Sequence, residues 1–189
     1  TADGLRYIGW LALHGDGEAK EKAQRLKEML LKEAEARGVE VRRRLEQYFR
    51  EGEMWGSVEL PIEKEVEVEG RRLKVSVEEV EAWKEQGKTS EHLVVKVRAK
   101  VVEGSNEAAV EKKAKFYKSG GEIRGYINIH ASAEGGREAD YTRTAAVLKA
   151  LGVEKWNRKE YQILITGGAV EALMRLEPIC AALNQCRKT

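Results

Sequence analysis

Between residues 62 and 129 apolar residues alternate with charged ones, and this alternation restricts the fold more than any other feature of the chain. Valine, leucine and isoleucine recur at every second position in several runs, which is the period of a β-strand with one buried face. Short turns containing Gly70, Gly104 and Gly120 separate the runs. Strands joined by such short connections pair as antiparallel neighbours. The sequence therefore predicts an antiparallel sheet of about five or six strands.

Helical patterns precede the alternating stretch. The segment from Leu5 to Leu13 is almost entirely apolar and predicts a buried first helix. Residues 17–49 carry apolar side chains at three- and four-residue spacings among charges of both signs, which indicates a long amphipathic helix. Gly38 lies within it, and a glycine inside a helix costs about 1 kcal/mol relative to alanine. One kinked helix and two helices that meet at Gly38 both satisfy this pattern.

Further helices interrupt and follow the strands. The same periodicities predict a short helix over residues 78–86, a helix over residues 137–151 and a strand over residues 161–165. The first of these helices carries Trp83. A last apolar segment predicts a helix that is interrupted at Pro178. Proline has no backbone N–H to donate, and its ring clashes with the preceding turn of a helix.

These elements together predict an α+β fold. Helices cover one face of the antiparallel sheet, and a long charged amphipathic helix lies near the N-terminus. We expect a single domain over residues 1–189, with residues 17–60 as a helical arm or insertion and residues 62–184 as the core of sheet and helices.

The charge composition bears on the source and partners of the chain. Nearly all of its acidic residues are glutamate, and lysine and arginine are abundant, a profile typical of proteins from hyperthermophilic organisms. The formal net charge is only +2, so binding to nucleic acid requires local clustering of cations. The chain has neither an apolar run of membrane-spanning length nor a signal-peptide pattern, so we expect a cytoplasmic location and no membrane partner. Because it does not begin with methionine, we also expect a trimmed product or a piece of a longer protein.

The two cysteines, Cys180 and Cys186, leave two arrangements open. On one continuous helix they lie too far apart for a disulfide, which needs a Cα separation below about 7 Å. If the helix ends near Leu183, a bridge becomes feasible, and intracellular disulfides do occur in hyperthermophiles.

Five cations on two adjacent predicted strands form the main candidate binding surface: Lys96, Arg98, Lys100, Lys113 and Lys115. Alternation places the first three on one face of a strand and the last two on one face of the next. Such a surface could follow the phosphates of a nucleic acid. In the alternative interpretation these cations pair across the sheet with three acids of a neighbouring strand, namely Glu65, Glu67 and Glu69.

A second cationic group, Arg42, Arg43 and Arg44, forms a compact run on the long helix. Both phosphate contact and an ordinary solvated helix face remain open for it. We predict nucleic-acid contact for these arginines as for the strand cations.

Candidates for catalysis are few. Asp16 could hold a divalent metal, but an aspartate between two glycines more often occupies a turn or a helix N-cap. His14 fits a role in packing at a helix end better than metal ligation. Walker A, Rossmann and zinc-type patterns do not occur. We therefore expect no cofactor and no metal, and assign no catalytic residue beyond Asp16 as a weak candidate.

Parts of the chain resemble one half of a LAGLIDADG module. Ile8 to Gly15 is similar to the signature helix of that family, which implies a close helix contact at Gly9. The later helix, strand and closing helix of the module resemble residues 145–153, residues 161–168 and Ala172-Leu173. Where the family places its metal-binding acid this chain has His14, with Asp16 displaced by two positions. The resemblance implies a nucleic-acid-binding scaffold that has lost its acid.

Over nearly its full length the chain also resembles the PaRep type two-b family, which is repeated many times in some crenarchaeal genomes. The matching segments are Leu5 to Leu11, Gly135 to Asp140, Leu148 to Trp156 and Leu173 to Pro178. This resemblance implies an archaeal source and carries no particular activity with it.

Three functions follow from these patterns. The first is non-catalytic binding of nucleic acid, with DNA as the expected ligand, by the basic sheet face of a LAGLIDADG-like scaffold. The second is a protein interaction or structural module that forms a homodimer through its long helix. The third is a metal-dependent homing-type endonuclease, for which a single signature-like helix supplies at most half of a site. We expect binding without cleavage.

Overall fold

The computed structural model describes residues 1–120, 122–166 and 168–183. Over these residues the chain forms six α-helices and seven strands, and the strands make one antiparallel sheet. The predicted α+β class is therefore confirmed, with a somewhat larger sheet than expected. The long helix near the N-terminus is also present, over Gly17–Arg37.

The elements follow one another in a simple order. In chain order they are α1 (Ala2–His14), α2 (Gly17–Arg37), α3 (Val39–Glu53), β1 (Ile62–Val68), β2 (Arg71–Gln86), β3 (Glu91–Glu103), β4 (Asn106–Ser119), β5 (Glu122–Asn128), α4 (Gly136–Ala150), β6 (Asn157–Arg158), β7 (Gln162–Thr166), α5 (Gly168–Leu173) and α6 (Glu177–Ala182). Across the sheet the order is β1, β2, β3, β4, β5, β7 and β6. The first five strands are neighbours in both sequence and space, as their short turns predict.

One face of the sheet, here called the covered face, carries the main hydrophobic core. Val75, Val95, Ile127 and Ile163 belong to it, and all are nearly inaccessible to solvent. Helix α4 lies against strands β1 to β4 on this face, while α6 contacts β2 and α5 contacts β7. The helices thus pack on one face of the sheet, as the alternation of the strands requires.

Strand β2 corrects one sequence prediction. Residues 78–86, expected as a short helix, are the second half of this long strand. The register of β2 against β3 shifts between Val77 and Glu79, which marks a β-bulge at Glu78. Because the bulge inserts one residue, the apolar positions Val77 and Val80 are three apart, a spacing that resembles a helix. Trp83 therefore lies on a strand.

The helical arm consists of two helices, which settles the question left open at Gly38. This residue has φ of 124° and separates α2 from α3. Helix α1 crosses α3 closely, since a Cβ atom added at Gly9 would overlap the backbone of Phe49. A Cβ atom added at Gly52 would likewise overlap the backbone of Arg6. The close contact expected at Gly9 is confirmed, and its partner is α3.

Helix α1 is less buried than its composition suggests. Trp10 and Ala12 are buried, but half of Leu13 is exposed, so only one side of the helix packs. No helix among the described residues combines the length and apolar character that crossing a bilayer requires. The proposed pairing of Cys180 with Cys186 lies outside the described residues, which end at Leu183.

Candidate functional site

The second face of the sheet, here called the open face, carries the alternate residues of the same strands. Within the described part of the chain, the helices that contact the sheet pack into the core of the covered face. All five cations predicted as a binding surface lie on the open face, three on β3 and two on β4. Lys96 stands directly opposite Lys113 in the register of the two strands. The structure therefore joins the three cations of β3 and the two cations of β4 into one surface.

The three cations of β3 are balanced by carboxylates. Lys96 Nζ lies 3.2 Å from Glu111 Oε1, and Arg98 contacts both Glu79 and Glu111 at 3.3 Å. Lys100 Nζ lies 3.5 Å from Glu78 Oε1. The hydrogen bond from Lys96, together with the charges of Lys96 and Arg98, lowers the pKa of Glu111.

The acids that balance β3 differ from those expected. Glu65 and Glu67 lie on β1, which pairs with β2, so β2 separates them from β3. Glu69 lies in the turn after β1 and contacts Arg158 at 3.6 Å. The predicted pairing with these three acids is therefore wrong, although pairing of the β3 cations with other glutamates does occur.

Strand β4 has two lysines on the open face, Lys113 and Lys115, and both remain without an ion pair among the described residues. Lys113 and Lys115 are both exposed. Lys113 faces Lys96 across the strands, and like charges directly opposite each other destabilise a sheet. Its Nζ lies 5.9 Å from the centre of the Trp83 ring, a cation–π contact. A bound anion would relieve the repulsion between Lys113 and Lys96.

Aromatic side chains border these lysines on the open face. In the strand register Tyr126 stands opposite Lys115, and Trp83 stands opposite Val94. Tyr117 packs edge-on against both His92 and Tyr126, with 6.2 Å between ring centres in each contact. Sequence reasoning missed this group because it placed Trp83 on a helix. Tyr117 lies two residues after Lys115, so alternation along the strand would have placed it on the same face. The register of β4 with β5 then places Tyr126 opposite Lys115.

The arginine run lies on α3 and is largely paired. Arg42 contacts Glu35 and Glu46, each at 2.9 Å, and the hydrogen bond from Arg42 to Glu46 raises the pKa of Arg42. Arg43 contacts Glu40 at 3.0 Å. These contacts favour an ordinary charged helix face over a phosphate site for Arg42 and Arg43; Arg44 is exposed.

Asp16 and His14 occupy structural positions. Asp16 is the N-cap residue of α2, as the flanking glycines indicate. His14 Nε2 lies 2.8 Å from the carbonyl oxygen of Glu53 at the end of α3. In the described ranges, no three histidine, cysteine, aspartate or glutamate side chains cluster as metal ligands.

A buried ion pair fixes α4 to the sheet beneath the open face. Lys112 Nζ lies 2.6 Å from Asp140 Oδ2, and both side chains are less than a tenth exposed. Lys112 also donates to the carbonyl oxygen of Asn128, and the backbone N–H of His130 donates to Asp140. Because Lys112 points inward, its neighbours Lys113 and Glu111 point outward.

A second charged cluster joins the helical arm to the C-terminal helices. Arg6 Nε lies 2.7 Å from Glu51 and 3.2 Å from Glu171, and Trp55 Nε1 donates to Glu171 at 2.9 Å. Burial raises the pKa of Glu171 to about 7, although the hydrogen bond from Trp55 and the charge of Arg6 oppose this increase. The cluster lies away from the open face and has a structural role at this junction.

Comparisons of the chain with protein-family models, with curated proteins and with solved structures gave no match.

Proposed function

We propose that this protein binds nucleic acid through the open face of its sheet, without catalysing a reaction on it. The observation that carries the proposal is the pair of exposed, unpaired lysines on β4, Lys113 and Lys115, on a face against which no described helix packs. A phosphate backbone is the anion that such a row of cations on a strand suits.

Local charge supports this proposal better than total charge does. With a formal net charge of +2, the molecule as a whole attracts polyanions weakly. Glu78, Glu79 and Glu111 balance the cations of β3, so the positive potential of the open face concentrates on β4. Lys96 stands beside Lys113, but its contact with Glu111 balances its charge.

Binding without cleavage is supported by the arrangement of α1. Paired LAGLIDADG signature helices need a free glycine face on each helix, but the Gly9 face of α1 lies against α3. Asp16, the weak catalytic candidate, occupies the N-cap position of α2, and His14 contacts a backbone carbonyl. Asp16 and His14 thus lie at helix ends, where they have structural roles, and the proposal assigns them no catalytic role.

The double variant Lys113→Gln/Lys115→Gln tests the proposal. We expect about tenfold weaker binding to nucleic acid near 0.1 M salt, and a salt slope reduced by about 1 for each lysine, because each replaced lysine removes one phosphate contact. Fluorescence anisotropy titrations at several salt concentrations measure both quantities.

The matched control is Arg25→Gln/Lys32→Gln, which removes two exposed cations from α2 and changes the net charge equally. This control should leave affinity and slope nearly unchanged. The triple variant Lys96→Gln/Arg98→Gln/Lys100→Gln should have the smaller effect per residue, because those cations already contact glutamates. Equal losses in the α2 control and the β4 variant would contradict a site on the open face.

A second function, self-association through the helical arm, is favoured by exposed apolar side chains there. Leu26 and Met29 lie three residues apart on α2, and Met29 is 53% exposed. Val39 and Val41 of α3 are exposed as well. Such side chains could pack against a second copy of the helix.

If the arm pairs two copies, Met29→Glu should convert a dimer into a monomer, because it would bury a charge in an apolar contact. Sedimentation equilibrium measures the change, with Lys32→Glu, an exposed substitution on the same helix, as control. A monomeric parent protein at high micromolar concentration excludes this second function.

A further inference from the structure

We propose that the ligand of the open face is single-stranded nucleic acid, whose unpaired bases stack on Trp83, Tyr117 and Tyr126 while Lys113 and Lys115 contact its phosphates. This inference rests on the proposed function and names the form of nucleic acid that the surface fits.

The composition of the open face is the first argument. The solvent-facing side of an antiparallel sheet is usually polar. Here one cross-strand row runs from Trp83 through Val94 and Lys115 to Tyr126, so it crosses four adjacent strands. Val94 is only 1% exposed although it lies outside the main core. The open face therefore has a small apolar centre of its own, of the kind on which planar bases stack.

The ring contacts are the second argument. Tyr117 lies between His92 and Tyr126 and meets both at interplanar angles of 76° and 64°. The three rings therefore form a continuous strip across β3, β4 and β5. Trp83 Nε1 donates to Glu85 Oε1 at 3.0 Å, which helps to orient the indole ring. Side chains oriented before binding lose less conformational entropy when a base stacks on them.

The position of the lysines relative to the rings is the third argument. Lys115 stands opposite Tyr126 in the strand register, and Lys113 lies over the ring of Trp83. Cations that alternate with aromatic rings match the alternation of phosphates and bases along a single strand. Among the described residues, Glu85 contacts this group by accepting a hydrogen bond from the indole of Trp83.

The width of the sheet disfavours a duplex as ligand. Strands β2, β3, β4, β5 and β7 are adjacent, and at about 4.8 Å per strand their axes span roughly 19 Å. A major groove about 12 Å wide admits a helix or a two-stranded ribbon, but not a sheet face of this width. In a duplex the faces of the bases are also stacked on each other and cannot contact Tyr117 or Tyr126.

A direct comparison of nucleic-acid forms tests the inference on the unaltered protein. The probes are fluorescein-labelled oligonucleotides of one mixed sequence, about 20 nucleotides long to exceed the usual site size of such surfaces. They are used as single-stranded DNA, as single-stranded RNA and as the DNA duplex. We expect at least about tenfold tighter binding of one or both single strands than of the duplex. A preference for RNA would assign a contact to the 2′-hydroxyl group.

Ring-removing variants test the stacking residues themselves. Tyr117→Leu and Tyr126→Leu should each weaken single-strand binding about tenfold and leave the salt slope unchanged, because they remove a stacking surface and no charge. Tyr117→Phe and Tyr126→Phe keep the ring and should keep the affinity. Tyr7→Leu on α1 removes a partly exposed tyrosine outside the sheet and serves as control.

The outcomes separate the inference from the proposed function. If the duplex binds as tightly as the single strands, and Lys113→Gln/Lys115→Gln still weakens binding, the single-strand inference is overturned while nucleic-acid binding stands. If the Leu variants fold, by circular dichroism, yet bind single strands as the parent does, the stacking residues are wrongly assigned. If none of the three probes binds, both the inference and the proposed function are overturned.

Discussion

Replacing Lys112 with methionine should lower the free energy of unfolding by about 4 kcal/mol, because it leaves a buried carboxylate without its counter-charge. Asp140 is less than a tenth exposed, and after the substitution the backbone N–H of His130 would be the only donor to its carboxylate among the described residues. The carbonyl oxygen of Asn128 would lose the hydrogen bond from Lys112 as well. Urea denaturation followed by circular dichroism measures the loss.

Two further variants isolate the buried charge as the cause. Lys113→Met changes the neighbouring lysine, which is exposed on the open face, and should cost less than about 1 kcal/mol. Lys112→Met/Asp140→Asn removes both charges while an amide oxygen can still accept from His130, so it should recover at least half of the loss. A double variant no more stable than Lys112→Met would show that packing of the lysine stem, rather than charge, is responsible.

Replacing Glu171 with glutamine should stabilise the protein at pH 8 and leave its stability at pH 4.5 nearly unchanged. Burial disfavours the ionised carboxylate and raises its pKa to about 7, from 4.5 for the free group. This difference corresponds to about 3 kcal/mol, and solvent around the side chain, which is 11% exposed, reduces it to on the order of 2 kcal/mol. Glutamine resembles the protonated acid at every pH.

The sign follows from which state binds the proton. Between pH 4.5 and about 7 the folded protein holds a proton on Glu171 that the unfolded chain releases. The resulting stabilisation is fully present below the pKa of the unfolded chain, 4.5, and disappears as pH rises through the pKa of the folded protein, about 7. The parent protein should therefore lose stability from this group across that window, and Glu171→Gln should not.

Denaturation curves at half-unit pH steps measure the difference between parent and variant. Glu63→Gln, an exposed substitution on β1, is the control and should run parallel to the parent. Arg6, Glu51 and Arg175 also act on Glu171, so a constant difference between parent and variant at all pH values would mean that the surrounding charges and hydrogen bonds cancel the effect of burial on its pKa.

The positions that sequence reasoning found depend on local periodicity. A residue and its second neighbour lie on the same side of any extended strand, whatever its partners are. For this reason Lys96, Arg98 and Lys100 could be placed on one face before the structure was known. The N-cap position of Asp16 follows from an equally local backbone preference, whereas the sequence left open whether one kinked helix or two helices meet at Gly38.

The partners of those residues could not be found in the same way. Glu111 approaches Lys96 because β4 pairs with β3 in one particular register, and Glu79 reaches Arg98 because a bulge at Glu78 shifts the register of β2. A bulge leaves no sequence pattern of its own, and here it produced a helical spacing in the middle of a strand. The placement of Trp83 on the open face depends on that bulge.

The sequence alone determined that this chain has an antiparallel sheet with one apolar and one charged face, because alternation is a property of each strand by itself. Only the tertiary structure decided which charges stay unpaired and which aromatic rings stand beside them. Those outcomes depend on contacts between residues distant in the chain, such as Lys112 with Asp140 or Tyr126 with Lys115. Such contacts are set by strand order, register and helix packing, which short-range patterns do not encode.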